Sequence, residues 1–594
     1  MSETRISTQK SVGALTGAAV GDALGWPQEN RSQILGGKSA RRVNPKPEFR
    51  HWERSGGNQF ARYIDPVAPG EYSDDTQLLL AVARACLHDD WYDWLTSVEL
   101  PVWPLFERGG GRAILSASRA WADNRPPWIA RNKRDEKKIA SYFNAGANGV
   151  AMRIAPHAIR SSHDDPGELM TRVVRDGLTT HGHPRALIGA CLHALAVRHA
   201  VLETDTLEYG ELLDAVSNSE IWRLPDFLVH AADTDWIASH RHYASEHPAD
   251  SWARVVMEVD ELIGIARGEL ARGATGNDQR ALNALGCFDN SQSGSGTVTA
   301  VAAIYVASRA ATRPMSGLLR TGFLDNADTD TLCSMTGSVL GAVHGTAWLG
   351  ELLSTVQDRE YIRDLAIMLA SGDHDSVTSL QVQTPIATSS NQLRKWSNDV
   401  LSMGSSDTAP DGRPWQIREF HDLDSRTRNS VTRVVGVTFD GQTLIHDKVT
   451  RPHDARVRNN RDTSDVELTD NADRSGSAVS EGFPKTPPRP NVMSIKIHVT
   501  DLAASTKFFA EVLGLQVRVH ADRTEVGDFL VMGRRKHETP CDEHPAVITV
   551  RAGDLATVAD RASTFPNVQV AWSKDRTALW IKEPSLNNLR VISD

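Results

Sequence analysis

Asp328-Thr329-Asp330-Thr331 opens the apolar run Leu332-Cys333-Ser334-Met335-Thr336-Gly337, and the fold is read outward from here. Acidic and hydroxyl side chains ahead of an apolar run mark a helix start, because their oxygens satisfy the first unpaired N–H groups. An alternating Asp-x-Asp there also sends two carboxylates toward one point, at the positive end of the helix dipole. A cap alone would explain one such turn. A second turn of the same make-up, Ser73-Asp74-Asp75-Thr76, precedes its own apolar run, Leu78-Leu79-Leu80-Ala81. Two hydroxyl-flanked acidic pairs, each on a helix start, have the composition of two halves of one oxygen-ligand cation site.

Residues 11–26 carry Gly13, Gly17, Gly21 and Gly25, one every four residues, which on a helix is a stripe without side chains. Each glycine costs a helix about 1 kcal/mol relative to alanine, so the stripe needs a compensating close approach of another backbone. Asp22 and the shortness of the apolar run argue against a membrane dimer face. Gly337, Gly341 and Gly345 repeat the spacing after the second acidic turn. The two helices are expected to pack tightly, bringing Asp22 and Glu29 near Asp328–Thr331.

A chain of 594 residues needs two to four domains. A formal charge of −10 argues against wholesale nucleic-acid binding. Cys86, Cys191, Cys287, Cys333 and Cys541 have no paired spacing, so buried free thiols are expected rather than a zinc site or disulfides. The polar start lacks a signal-peptide core and no apolar run reaches bilayer length, so a cytoplasmic protein with no membrane partner is expected.

Apolar residues at helical spacing over 78–87, 170–178, 186–200, 252–266 and 297–310, with few strand-like runs, make the first domain all-α. Gly146-Ala147-Asn148-Gly149-Val150-Ala151-Met152-Arg153 is either an ordinary loop or a turn whose N–H groups cradle a diphosphate. In Thr180-His181-Gly182-His183 no companion ligand supports zinc; His181 is a cap, a substrate contact or a structural residue.

Taken in order, Gly17-x3-Gly21-Asp22-Ala23-Leu24-Gly25 with Glu29, Ser73–Thr76, Asn148-Gly149-x2-Met152-Arg153, Thr180-His181 and Asp328–Thr331 resemble the ADP-ribosylglycohydrolases over residues 10–370. The resemblance implies an all-helical domain with two magnesium ions at the bottom of an ADP-ribose cleft, manganese being a substitute. It implies metal ligands at Ser73, Asp74, Asp75, Asp328, Asp330 and Thr331. Substrate contacts fall on Asp22, on Asn148, Gly149, Val150, Ala151 and Met152 around the diphosphate, and on His181. Glu29 matches a mobile glutamate, and either Glu29 or Asp328 orients the attacking water. Two departures stand out: Ser73 replaces a threonine, and Asn326-Ala327 replaces Gly-Gly. The activity implied is cleavage of the N- or O-glycosidic bond of ADP-ribose on a protein, nucleic acid or small molecule. The alternative is an ADP-ribose sensor or structural protein without turnover.

The expected domains are 1–375 (the helical domain), 376–452 (a connecting region) and 453–490 (a polar, proline-ended disordered linker), with a further domain at 491–594. In the connecting region, strands flank Asp440-Gly441 as a hairpin. In the last domain the pattern reads as two βαβββ units, which resemble the α+β glyoxalase and bleomycin-resistance (vicinal oxygen chelate) superfamily. Ser494 and Arg590 occupy positions where that superfamily has metal ligands, and His544 falls one residue off. An arginine in place of a carboxylate points to a non-metal binding or pairing module, giving a homodimer, over a metal-dependent lyase or dioxygenase.

Overall fold

The computed structural model describes residues 8–29, 34–37, 41, 43–58, 61–244, 246–371, 384–403 and 406–451, and further on ten short elements between 495 and 592. The chain divides into two units, Met1–Glu467 and Leu468–Asp594. The expected linker at 453–490 lies outside the described residues, as do Cys541, His544 and Ser494.

The first unit is built on four helices: α1 (Thr8–Gly25), α4 (Pro184–Leu202), α5 (Gly296–Arg309) and α6 (Thr329–His344). Around them lie α2 (Asp74–Ala85), α3 (Pro166–Leu178) and a shell of shorter helices. Nearly every residue of α1, α5 and α6 is buried, so these are central rods rather than amphipathic surface helices. α1 runs antiparallel to α6 with glycine against glycine. A Cβ on Gly13 would stand 2.1 Å from Gly341 O, and one on Gly17 2.2 Å from Gly337 O. Toward the other end, Cβ atoms on Gly21 and Gly25 would meet Cys333 O and Thr329 O, each at 2.2 Å. The expected close packing is therefore observed, and it carries the end of α1 to the start of α6.

One feature differs from the sequence expectation. An antiparallel hairpin, β1 (Trp52–Asn58) and β2 (Ala61–Val67), interrupts the all-α domain. Inward and outward residues alternate along β2, which puts Asp65 on the inner face beside Ala61, Tyr63 and Val67. Also, α4 is long and apolar enough to cross a bilayer by length and mean composition, although Arg185, His193, Arg198 and His199 interrupt it; 78% of that window is buried inside the protein. Cys86, Cys191, Cys287 and Cys333 are buried and free, as expected.

The strands flanking Asp440-Gly441 are the last two of a four-stranded antiparallel sheet in the first unit. It comprises β3 (Ser406–Thr408), β4 (Pro414–Leu423), β5 (Ser430–Thr438) and β6 (Thr443–Thr450), in that order. Trp396, Trp415, Val434 and Leu444 form its core with Phe106 from the helical body. Asp358 fixes one edge, accepting from Thr443 N, Thr443 Oγ1 and the Tyr72 hydroxyl.

In the second unit two βαβββ segments are present. The first is β7 (Ile495–Val499), α7 (Leu502–Glu511), β8 (Val517–Val519), β9 (Arg523–Val526) and β10 (Leu530–Arg534). The second is β11 (Val547–Arg551), α8 (Leu555–Thr564), β12 (Gln569–Trp572), β13 (Ala578–Lys582) and β14 (Asn588–Ile592). Each makes a four-stranded sheet whose first strand lies parallel beside its last.

Candidate metal centre

Ser73 caps α2, its Oγ accepting from Asp75 N at 3.2 Å. Asp74 and Asp75 follow in the first turn, where the helix dipole favours their charge. The turn is tied to α1 by Asp22, whose carboxylate accepts from Ser73 N (3.0 Å), Thr76 N (3.0 Å) and Thr76 Oγ1 (2.6 Å). Asp22 is fully buried and its oxygens are spent on this cap. The expected substrate contact at Asp22 is therefore corrected to an internal one, and Asp22 serves the first acidic turn rather than the second. On the other flank Asp74 N donates to Arg108 O at 3.0 Å.

Asp328 stands at the N-cap position of α6 without a side-chain capping bond, followed by Asp330 in the first turn. Thr329 Oγ1 donates to Gly25 O at 2.9 Å, pinning this corner to the end of α1. Glu29 lies just beyond, after the one-turn segment Trp26–Gln28. Carboxylate oxygens of Glu29, Asp328 and Asp330 lie within 4.8 Å of one another. Asn148 Nδ2 donates to Asp328 Oδ2 at 3.2 Å and to Thr299 Oγ1 at 3.1 Å. Asp75 joins the group: it lies beside the Thr331 side chain and near enough to Asp328 and Asp330 for their charges to act on it. The two acidic corners meet, with Asp75 as the member of the first corner that faces the second.

Burial, and then the surrounding carboxylates, drive the pKa of Asp75 and Asp330 well above the usual range. Asp74 is raised by burial first, then by Glu107 and Asp22, with Arg54 opposing. Asp75 Oδ2 is buried and finds no hydrogen-bond partner. An orphaned carboxylate oxygen among acids is costly unless a cation completes it. The donors are all carboxylate or hydroxyl oxygens, the set that hard divalent cations take. Glu29, Asp328 and Asp330 lie close enough to share such a cation, Asp75 stands beside them, and Ser73, Asp74 and Thr331 flank them on the two helix starts.

The expected substrate loop is placed beside this cluster, but its side chains divide. Asn148 faces Asp328, whereas Val150, Ala151 and Met152 are packed in the core, and the Met152 N–H is spent on Asn148 O at 3.1 Å. The side chains of these three residues serve the core, and the expected cradle of N–H groups loses that of Met152. Gly149 has no room for a side chain: a Cβ would stand 2.9 Å from Ile114 and 3.1 Å from the His181 ring. His181 is buried, with Nδ1 bonded to Thr180 Oγ1 at 2.8 Å, and burial with Arg153 pushes its pKa down to about 3. It is a neutral imidazole. Arg153, fully buried, holds this turn through Asp176 Oδ1 (2.7 Å) and Thr180 Oγ1 (3.0 Å). Asn326, standing where the resemblance has glycine, has φ +61°, a left-handed conformation that asparagine adopts more readily than most residues.

Sequence reasoning missed the rim around Asp74. Gly109 (φ +105°) sits against it, with space for a Cβ only 3.2 Å from Asp74 Oδ1 and 3.5 Å from Trp26 and Arg54 atoms. Glu107 Oε1 accepts from Gly109 N and Gly110 N at 2.9 and 2.7 Å. Arg54 lies over the Trp26 ring, 4.9 Å from its centroid. The triple glycine after Arg108 was the available signal for a close approach here. Among the described residues a second group, His199, Glu203 and Glu211, also clusters. Its donors are engaged, His199 Nε2 with Glu211 Oε1 at 3.1 Å and Glu203 Oε1 with the N–H groups of Thr204 and Asp205.

The family model for ADP-ribosylglycohydrolase matches residues 2–377. The uncharacterized protein YegU of Escherichia coli (strain K12) is 25% identical over 358 residues, 57% of this chain and 89% of that protein. A solved structure titled "ADP-ribosylglycohydrolase-related protein complex" aligns with TM-score 0.39 and 20% identity, covering 61% of this chain and 98% of the other.

Proposed function

The chain belongs to the ADP-ribosylglycohydrolase family, a family of glycoside hydrolases, and we propose that it releases ADP-ribose by hydrolysing the N- or O-glycosidic bond to a carrier. The observation that carries this is the meeting of Asp75, Asp328, Asp330 and Glu29, brought from three separate segments, with the orphaned Asp75 oxygen among them. A descendant kept only for structure or sensing has no use for buried carboxylates that repel one another.

Two magnesium ions, or manganese in their place, would be held by Ser73, Asp74, Asp75, Asp328, Asp330 and Thr331. Bound there, they would supply positive charge for orienting a ribose diol and lowering the pKa of water. The remaining work falls to the chain. Glu29 or Asp328 accepts a proton from the attacking water. Carboxylates of the cluster stabilise the positive charge that builds on the sugar as the bond breaks. Asn148 holds Asp328 in place, and neutral His181 offers a hydrogen bond without adding charge. Asp330→Ala abolishes both the divalent-cation response and release of ADP-ribose from a panel of ADP-ribosylated arginine, serine and nucleic acid. Undiminished turnover by that variant would overturn the assignment.

The C-terminal unit is a non-metal binding or pairing module of glyoxalase-like type, and the protein works in the cytoplasm. The reading of the module rests on Arg590, which stands on β14 opposite Thr549 and Trp580, a cation at a position where a metal site needs a carboxylate.

A further inference from the structure

Asp65, on the inner face of β2, is the meeting point of three arginines. Arg54 Nε donates to its Oδ2 at 2.6 Å, and Arg108 Nη2 and Arg433 Nη2 donate to its Oδ1 at 3.1 and 2.7 Å. The Asp65 side chain is 1% exposed, and Arg108 and Arg433 are 5% exposed each, so the group is buried. Its charges are matched: Asp447 takes Arg433 on two oxygens at 2.7 Å each, and Glu71 takes Arg108 at 2.8 Å. Tyr63 closes the far side by donating to Asp447 at 2.8 Å. A buried network of this kind over-determines its members, since removing one leaves another unpaired in a low-dielectric interior.

Two of these arginines reach the acidic corner. The Arg108 carbonyl accepts the Asp74 N–H at 3.0 Å, and Gly109, the next residue, lies against the Asp74 carboxylate. Arg54 extends to Trp26 and the same carboxylate's neighbourhood. The third comes from elsewhere. Arg433 is on β5, in the sheet that follows the family-matched segment ending at residue 377.

We propose that Arg433 is a positioning residue for the candidate metal centre, acting through Asp65 and Arg108 on Asp74, so that the sheet of residues 406–450 completes the site. This rests on the reading of Asp74 as a cation ligand. Arg433 touches neither substrate nor cation; it fixes where Arg108 O and Arg54 stand, and they fix the Asp74 turn. The sheet is then a working part of this chain's hydrolase unit.

The test is Mn²⁺ titration of the full chain, followed by electron paramagnetic resonance of the free ion. Arg433→Gln weakens Mn²⁺ binding about tenfold or more, and Arg433→Lys, which keeps the charge but not the fork, falls between. The control is Arg413→Gln. Arg413 anchors the same sheet at its other end, bonded to Asp411, Asp440 and Gln442, with Gln442 reaching Arg84 at the far end of α2. This variant loosens the sheet and leaves Mn²⁺ affinity unchanged. Equal affinity in Arg433→Gln and the unaltered protein would overturn the inference, as would an equal loss in Arg413→Gln. If Arg433→Gln does not fold, Arg433→Lys carries the same comparison. Absence of Mn²⁺ binding by the unaltered protein would instead overturn the metal-centre reading itself.

Discussion

A charge on Asp75 would stand where Asp22, Asp74 and Asp328 already repel it, and one of its oxygens has no donor. Without a divalent cation, Asp75→Asn therefore raises stability by about 1 kcal/mol while abolishing the gain that Mg²⁺ gives. Melting curves with and without Mg²⁺ check both halves. The pH dependence follows from the same groups. In the cation-free fold Asp74, Asp75 and Asp330 keep protons that the unfolded chain gives up near pH 4. Their contribution is present at low pH and is lost as pH rises through the elevated folded values. Cation binding requires them ionised, so the rise in melting temperature on adding Mg²⁺ grows from about pH 5 to pH 8. An equal rise at both would contradict this. At this scale the sequence was legible where side chains act locally: the acidic turns sit on helix starts as read. Asp22 was misplaced because proximity along α1 says nothing of the direction its carboxylate takes.

Helix α1 meets α6 backbone to backbone, an arrangement legible from a four-residue glycine period alone because the period fixes a face. Gly17→Ala places a methyl 2.2 Å from Gly337 O, where neither helix can yield without moving a corner of the site. It costs about 3 kcal/mol and lowers Mg²⁺ response as well as melting temperature. Gly264→Ala is the matching control, on the helix Pro248–Leu270 with nothing within 4 Å of the added Cβ. There the gain in helix propensity stabilises by up to about 1 kcal/mol. The β1–β2 hairpin was not legible. Its first strand, Trp-Glu-Arg-Ser-Gly-Gly-Asn, lacks apolar alternation, because Gly56 makes room for the Tyr63 ring and Arg54 is turned to Asp65.

Across the whole molecule, the hairpin read at Asp440-Gly441 is part of a larger sheet. The reason for that sheet lies in a pairing 368 residues long, Arg433 with Asp65, which no local pattern announces. The second unit begins after Glu467. Truncation there leaves the rate on a small ADP-ribosylated substrate within about twofold and alters only the choice of carrier or the subunit count, read by a substrate panel and by sedimentation. A large loss on the small substrate would place chemistry in the second unit.

Helix α1 touches both acidic corners within a single turn: Asp22 holds the start of α2, and the Gly25 carbonyl holds Thr329. Three residues of helix, a rise of about 4.5 Å, separate the two attachments. The offset between the two attachment points is thus counted out in peptide units, as on a ruler. Inserting one residue between Asp22 and Gly25 would turn one corner about 100° out of phase with the other, leaving every acid present and no place for a cation between them.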